Sequence, residues 1–357
     1  MKQEIIKQNI KEHYFDLIKK SNFKNCLIIS SKGNFRRNYE KMFIDGLNGN
    51  ILNIFYHEIN EYPNFDNINN LYNEFKYKNI DLVISIGGGS AIDLGKVFSA
   101  CELNEKLKAI KNLKIRKNQI FNISVPTTAG SGAESTKFAT IWSQADSTKY
   151  SFESDCLLPN IAYLDSSYTL TLPLVNTLTT SLDALCHCLD CLWNKTKNID
   201  AEAYASDSIN IISEYLPQVV NDLQDPIARK FLLEASNKAG QAINITKTSL
   251  NHSISYPLTN IYNLPHGFAC AFSVPGIVEF YKSELAFSKQ NELYKNANNL
   301  VSNLELNEIY KKYLKFLDIE EVALKVLDNS RSKNFEYKIN NKILINILSY
   351  SKKIFLD

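Results

Sequence analysis

The segment DLVISIGGGSAIDLGK, Asp81–Lys96, decides the fold. Its first part, DLVISI (81–86), is apolar almost without a break, as a strand covered on both faces should be. It runs straight into Gly87-Gly88-Gly89-Ser90 and then into a helical stretch through Ala100. A strand that ends in glycines and opens a helix is suited to a phosphate. Missing side chains let the backbone approach, and the helix start offers unpaired N–H groups. Two common loop types are excluded. A Walker-type ATP loop would need glycine at Ser90 and Ser or Thr at Val97, and the G-x-G-x-x-G fingerprint would need its third glycine at Ile92. A plain tight turn fits this segment as well as a phosphate cradle does.

On either side, strand-like and helix-like stretches alternate. Asn25 to Ser30 (NCLIIS), residues 51–56 (ILNIFY), 121–126 (FNISVP) and 160–165 (NIAYLD) read as strands. Residues 2–20 read as an amphipathic helix, 66–79 as another, and 137–154 as a hairpin. The alternation predicts a doubly wound, mostly parallel sheet in an α/β domain. FNISVP also ends in small residues, Thr127-Thr128-Ala129-Gly130-Ser131-Gly132. Two such loops suggest a ligand crevice at a switch point of the sheet. After Asp165 the chain reads as helical, punctuated by Pro173, Pro217, Pro226, Pro257 and Pro265. We expect an α/β domain over 1–164 and an all-α domain over 165–357.

A chain of 357 residues suits two domains. Forty basic against 38 acidic residues argue against a nucleic-acid or membrane-surface protein. The start of the sequence has scattered charges and no apolar core, so it does not read as a signal peptide, and no run is apolar for long enough to span a bilayer. Seven cysteines without a secretion signal read as reduced thiols in the cytoplasm. The basic run Lys106–Lys117 reads as a solvated loop.

Only five histidines are present. In SLDALCHCLD, Asp183 and His187 stand i, i+4, which stacks carboxylate above imidazole on one helix face. His252 and His266 lie in NHSISYPLTNIYNLPHGF. Three imidazoles and a carboxylate form a plausible ligand set for a divalent first-row metal; each pair taken alone also reads as an ordinary helix-face hydrogen bond. Cys186, Cys188 and Cys191 cannot close on one metal from a single helix and read as packing thiols, with Cys191 on the face of Asp183 and His187. His13 and His57 read as surface residues.

With GGGSAIDLGK, VPTTAGSGAEST, the Asp183/His187 pair and the His252/His266 pair in this order, the chain resembles the iron-dependent (group III) alcohol dehydrogenases. The resemblance runs from about residue 22 onward. It implies a dehydroquinate synthase-like architecture, with a nicotinamide and a metal in the cleft between the two domains, and a homo-oligomer such as a dimer. It implies Asp183, His187, His252 and His266 as ligands of Fe(2+), with Zn(2+) also suited to such donors. Gly87, Gly88, Gly89 and Ser90 would hold the pyrophosphate with Asp93 nearby, and Thr127, Thr128, Ser131 and Lys149 would line the remaining cofactor path. Where NAD-using relatives carry an acidic residue, this sequence has Ser31, followed by Lys32, Arg36 and Arg37, which favours NADPH over NADH.

Tyr256 stands where many relatives have a further histidine, so the proton donor is unassigned, with Tyr256 a candidate beside water or a ribose hydroxyl. The segment AGQAINITKTSLNHSISYPLT resembles the phosphonoacetaldehyde reductase subgroup. Lys247, at a place where small-alcohol dehydrogenases often carry glycine, Lys238 and Lys137 are then candidate partners of a dianionic phosphonate. The implied reaction is reduction of phosphonoacetaldehyde to 2-hydroxyethylphosphonate. Rival readings are a dehydrogenase of an ordinary small alcohol or diol, a sugar-phosphate lyase of the dehydroquinate synthase type, and a catalytically dead binding protein.

Overall fold

A computed structural model describes residues 3–47, 51–56, 59, 64–102, 114–117, 119–143, 148–284 and 291–357. The first unit holds a parallel sheet. Its strands are β1 (Glu4–Ile6), β2 (Asn25–Ser30), β3 (Leu52–Tyr56), β4 (Leu82–Gly87), β7 (Phe121–Pro126) and β10 (Ile161–Tyr163), in the order β1-β10-β7-β4-β2-β3. Every pairing in it is parallel. Two small antiparallel pairs accompany it, β5 (Cys101–Glu102) with β6 (Lys114–Ile115) and β8 (Phe138–Ser143) with β9 (Thr148–Glu153). The helices α1 (Ile10–Lys20), α2 (Lys32–Arg36), α3 (Lys41–Gly46), α4 (Phe65–Phe75) and α5 (Gly89–Ala100) belong to the same unit.

Strand β4 is buried along its whole length, which explains its near-continuous apolar character. One face of the sheet packs Leu27, Ile29 and Val83 against α4 and α5 through Leu71, Leu94 and Phe98. The other packs Ile28, Ile84 and Ile123 against α1 and α3 through Tyr14, Ile18 and Phe43. A sheet covered on both sides is the doubly wound arrangement. Gly95 is required by this packing, because a Cβ there would overlap Ser85 on β4.

The second unit is helical: α6 (Leu174–Leu192), α7 (Ile199–Asn221), α8 (Pro226–Thr246), α9 (Leu250–Tyr262), α10 (His266–Phe272), α11 (Val274–Glu284), α12 (Asn291–Asn303), α13 (Asn307–Leu314), α14 (Ile319–Leu327) and α15 (Asn341–Phe355). The division falls between Thr169 and Leu170, a few residues beyond the expected 164/165, and Ala129–Gly132 also belongs with the helices. The reason is local. A Cβ on Gly132, whose φ is +58°, would strike the backbone of Gly240 on α8, and one on Gly130 would strike Thr180 on α6.

Three sequence expectations are corrected. Residues 2–20 are not one helix: Glu4–Ile6 forms strand β1 against β10, and the helix begins only at Ile10. Three residues are too short for a periodicity to register as a strand. Pro217 and Pro257 lie inside α7 and α9 rather than at their ends, while Pro173, Pro226 and Pro265 do stand at helix starts. Burial of Leu216, Val219 and Leu258 alongside these prolines holds the helices together across the lost N–H donors. His13 is not a bare surface residue, since its ring meets the Tyr163 hydroxyl at 2.9 Å and Glu4 at 3.3 Å. His57 and most of the basic run Lys106–Lys117 lie outside the described residues. Among those described, no helix is long and apolar enough to cross a membrane.

Candidate metal centre

Helix α6 carries Asp183 and His187 one turn apart on its buried face. Helix α9 brings His252 opposite them. It ends at Asn263, whose left-handed backbone (φ 54°) closes the helix and turns the chain through Leu264 and Pro265 into α10. His266 is the first residue of α10, and Gly267 follows because a Cβ there would overlap the Thr179 carbonyl on α6. The glycine thus lets α10 press against α6 at the level of Asp183.

The result is a convergence on one atom. Asp183 Oδ1 lies 3.3 Å from His252 Nε2, 3.7 Å from His187 Nε2 and 3.7 Å from His266 Nε2. Ligands each about 2.1 Å from a common ion stand roughly 3 to 4 Å apart, so these spacings fit a shared cation. The donor set, a hard carboxylate with three imidazoles, suits ferrous iron or zinc. Burial alone would raise the Asp183 carboxyl. The charges of His187, His266 and His252, with the His252 hydrogen bond, outweigh it and hold the group well below the usual carboxylate range.

Behind His252 stands a second carboxylate. Asp190, fully buried on α6, accepts from His252 Nδ1 at 2.8 Å and from the backbone N–H groups of Ser249 (2.8 Å), Asn251 (2.9 Å) and His252 (3.3 Å). It therefore caps the start of α9 from another helix, where a negative charge is favoured. It also orients the imidazole: Nδ1 is turned to Asp190 and Nε2 to Asp183, so Nε2 is the atom that would bind a cation in place of its proton. A carboxylate behind an imidazole is the usual support of a metal ligand. Burial would lower the His252 ring, but Cys270, Asp183 and Asp190 around it raise it well above its ordinary value. Cys270, one turn after His266, brings its Sγ to 3.8 Å from His266 Nε2. Donor atoms of Asp183, His252, His266 and Cys270 all lie within 4.8 Å of one another; His187, expected as the fourth ligand, is not in that set and meets it through Asp183 at 3.7 Å.

Comparison with known proteins agrees with this geometry. The family model for iron-containing alcohol dehydrogenase matches residues 4–166, and that for the C-terminal part of the Fe-containing alcohol dehydrogenase family matches 177–336. Alcohol dehydrogenase 4 of Saccharomyces cerevisiae is 30% identical over 277 residues, covering 75% of this chain and 71% of that protein. The chain belongs to the iron-containing alcohol dehydrogenase family.

Another relative is the phosphonoacetaldehyde reductase of Streptomyces viridochromogenes, 29% identical over 224 residues, or 60% of this chain and 57% of that protein. The chain spans between 55% and 71% of the length of the first curated relatives it matches. The sulfoacetaldehyde reductase of Bifidobacterium kashiwanohense, solved with NAD+, shares the fold at a TM-score of 0.86 and 20% identity, over 98% of this chain and 96% of that one.

Within this family framework the other expected residues fall as follows. Gly88 caps α5, with Gly87 against Ala91 and Gly88 beside Thr128. Asp93, expected near the pyrophosphate, has Lys96 Nζ on one oxygen (3.4 Å) and the Thr140 N–H on the other (2.8 Å). Ser31 caps α2 by accepting from the Asn34 N–H at 3.2 Å, while Lys32, Arg36 and Arg37 are exposed. Thr127 is buried, and Thr128 and Ser131 are half-buried. Lys149 lies in β9, but its side chain is outside the described part. Lys238 is paired with Asp207 at 2.9 Å, and Lys137 with Glu153 and Asp155 at 3.6 and 3.7 Å.

Lys247 ends α8 at φ 67°, ψ 171°, a region almost reserved for glycine that costs another residue about 1–3 kcal/mol. Asn194 holds that turn by donating to the carbonyls of Thr246 (2.9 Å) and Lys247 (3.2 Å). Tyr256 stacks on the His266 ring at 6.3 Å. Asp190 and Cys270 were missed by sequence reasoning. Asp190, three residues after His187 on the same helix, and Cys270, four after His266, carried a spacing signal that could have found them.

Proposed function

We propose that this chain is a metal-dependent, NAD(P)H-linked reductase of a small aldehyde, with phosphonoacetaldehyde as the substrate and 2-hydroxyethylphosphonate as the product. The observation that carries this reading is the meeting of three imidazole nitrogens on Asp183 Oδ1, with Asp190 orienting His252 from behind. Asp183, His187, His252 and His266 would hold ferrous iron. When bound, the ion supplies Lewis-acid polarisation of the carbonyl and the nicotinamide supplies hydride, so aldehyde, NADPH and a proton give alcohol and NADP+.

The protein's own task is alignment and exclusion of water. Residues 1–164 would bind the dinucleotide, with Gly87, Gly88, Gly89 and Ser90 at the pyrophosphate and Thr127, Thr128, Ser131 and Lys149 along its path. Ser31, with Lys32, Arg36 and Arg37 after it, supports NADPH over NADH, because no carboxylate there repels a 2′-phosphate. Residues 165–357 would supply the metal ligands. The strained backbone of Lys247 supports a retained role for its ammonium beside the phosphonate.

The test is oxidation of NADPH by iron-reconstituted protein, comparing phosphonoacetaldehyde, propanal and 3-hydroxypropanal. Turnover of phosphonoacetaldehyde well above propanal supports the reading. Turnover of propanal or 3-hydroxypropanal alone would return the chain to the ordinary alcohol dehydrogenases, a reading supported by its 30% identity to alcohol dehydrogenase 4. Lys247→Ala should lower turnover of the phosphonate and spare propanal.

A further inference from the structure

Two of the three lysines considered for a phosphonate already face carboxylates of their own. Arg331 does not. It lies in the short 3-10 turn Ser330–Asn334, half-buried, with its guanidinium carbon 4.9 Å from the centre of the Tyr256 ring. That ring in turn lies nearly parallel (16°) to the ring of His266. Among the described residues, no carboxylate pairs with this guanidinium. The charge acting on it is that of Asp190, whose oxygens are taken by Ser249, Asn251 and His252. Burial draws Arg331 down to about 10, so it keeps its charge at neutral pH.

The turn is built to hold this residue in place. Asn329 accepts from the Arg331 N–H at 2.9 Å, Ser332 Oγ donates to the Asn329 carbonyl at 2.7 Å, and Asn334 Nδ2 donates to the Thr248 carbonyl at 2.9 Å. The last bond joins the turn to the segment that carries Lys247. A guanidinium lying over an aromatic ring turns its N–H edge outward, and that edge matches two oxygens of a tetrahedral anion.

We propose that Arg331, with Lys247 on the adjoining turn and the Tyr256 ring as a wall, forms the subsite for the tetrahedral anionic head, phosphonate or sulfonate, of the aldehyde. This rests on the reductase reading above and names the residue that selects its substrate class. Arg331 is a specificity residue in this scheme, separated from the expected metal ligand His266 by the Tyr256 ring.

Binding is measured by calorimetry on the metal-free full chain, with 2-hydroxyethylphosphonate and 2-hydroxyethanesulfonate as probes. The wild type should bind at least one, and the tighter probe identifies the head group. Arg331→Ala should weaken that binding about 10- to 100-fold, with Arg331→Lys falling between. In the iron-loaded enzyme, Arg331→Ala should raise KM for the anionic aldehyde by a similar factor and leave KM and kcat for propanal unchanged. Unchanged probe binding in Arg331→Ala overturns the proposal, as does an equal loss on propanal in both variants. Wild type that reduces phosphonoacetaldehyde but binds neither probe through Arg331 sinks the subsite and spares the reductase. Wild type that reduces no aldehyde but binds a probe through Arg331 sinks the reductase and spares the subsite.

Discussion

Each unit buries a charge, and the two are handled differently. In the α/β unit the fully buried Lys96 gives its ammonium hydrogens to Asp93 (3.4 Å), Thr136 Oγ1 (3.0 Å) and the Phe138 carbonyl (2.8 Å). Burial lowers this lysine, and the charges of Asp93 and Glu134 with the Asp93 hydrogen bond oppose that. Donors and acceptors match, so the network needs nothing more. In the helical unit one oxygen of Asp183 faces three imidazole nitrogens, an excess of donors natural for ligands around a cation. A saturated pair ties a helix to its neighbours, whereas a convergent set points to a ligand.

The strongest way to break this contrast is Asp183→Ala. It should abolish iron binding and lower aldehyde reduction at least about a thousandfold, measured by metal analysis and NADPH oxidation. Retained iron would place the centre elsewhere. Lys96→Met, by contrast, should cost about 3 kcal/mol of unfolding free energy by stranding Asp93, with iron content unchanged. A loss of iron in Lys96→Met would mean that the two networks are not separate in kind.

Iron itself sharpens the comparison. At roughly a hundred times its Kd it should stabilise the wild type by about 2.7 kcal/mol, and leave Asp183→Ala where it was in thermal melts. Asp190→Asn keeps the shape but not the charge behind His252, and should weaken iron binding about 10- to 100-fold in competition with a chelator. Smallest of all, the native chain should expose about one thiol to Ellman's reagent. Cys156 is half-buried, while the other six cysteines, including Cys188 and, near the centre, Cys186 and Cys270, are buried. Burial raises these last three thiols, which further slows their attack on a disulfide.

The fold was legible where pattern and length agreed. DLVISI runs into glycines, and β4 is buried at every position, so one face pattern carried the reading. Strand β1 was not legible, because three residues inside a charged stretch carry no period. Asp183, His187, His252 and His266 stood out because histidine is scarce here. Asp190 did not, since an acid on a helix ordinarily reads as solvated, and its role depends on α9 starting beside it. Arg331 had no neighbour in sequence to mark it. Its relation to Tyr256 exists only once the turn Ser330–Asn334 packs on α9, as does the glycine-like backbone of Lys247.

The place of β1 has a consequence for assembly. Its parallel partner, Ile161–Tyr163, follows every other strand of the sheet in the sequence. Strands β2, β3 and β4 can join early, from neighbouring segments, whereas Glu4–Ile6 must wait for a distant mate and the loop-closure entropy that mate entails. The sheet therefore grows from its β3 edge toward β1, and Glu4–Ile6 closes it at the far edge.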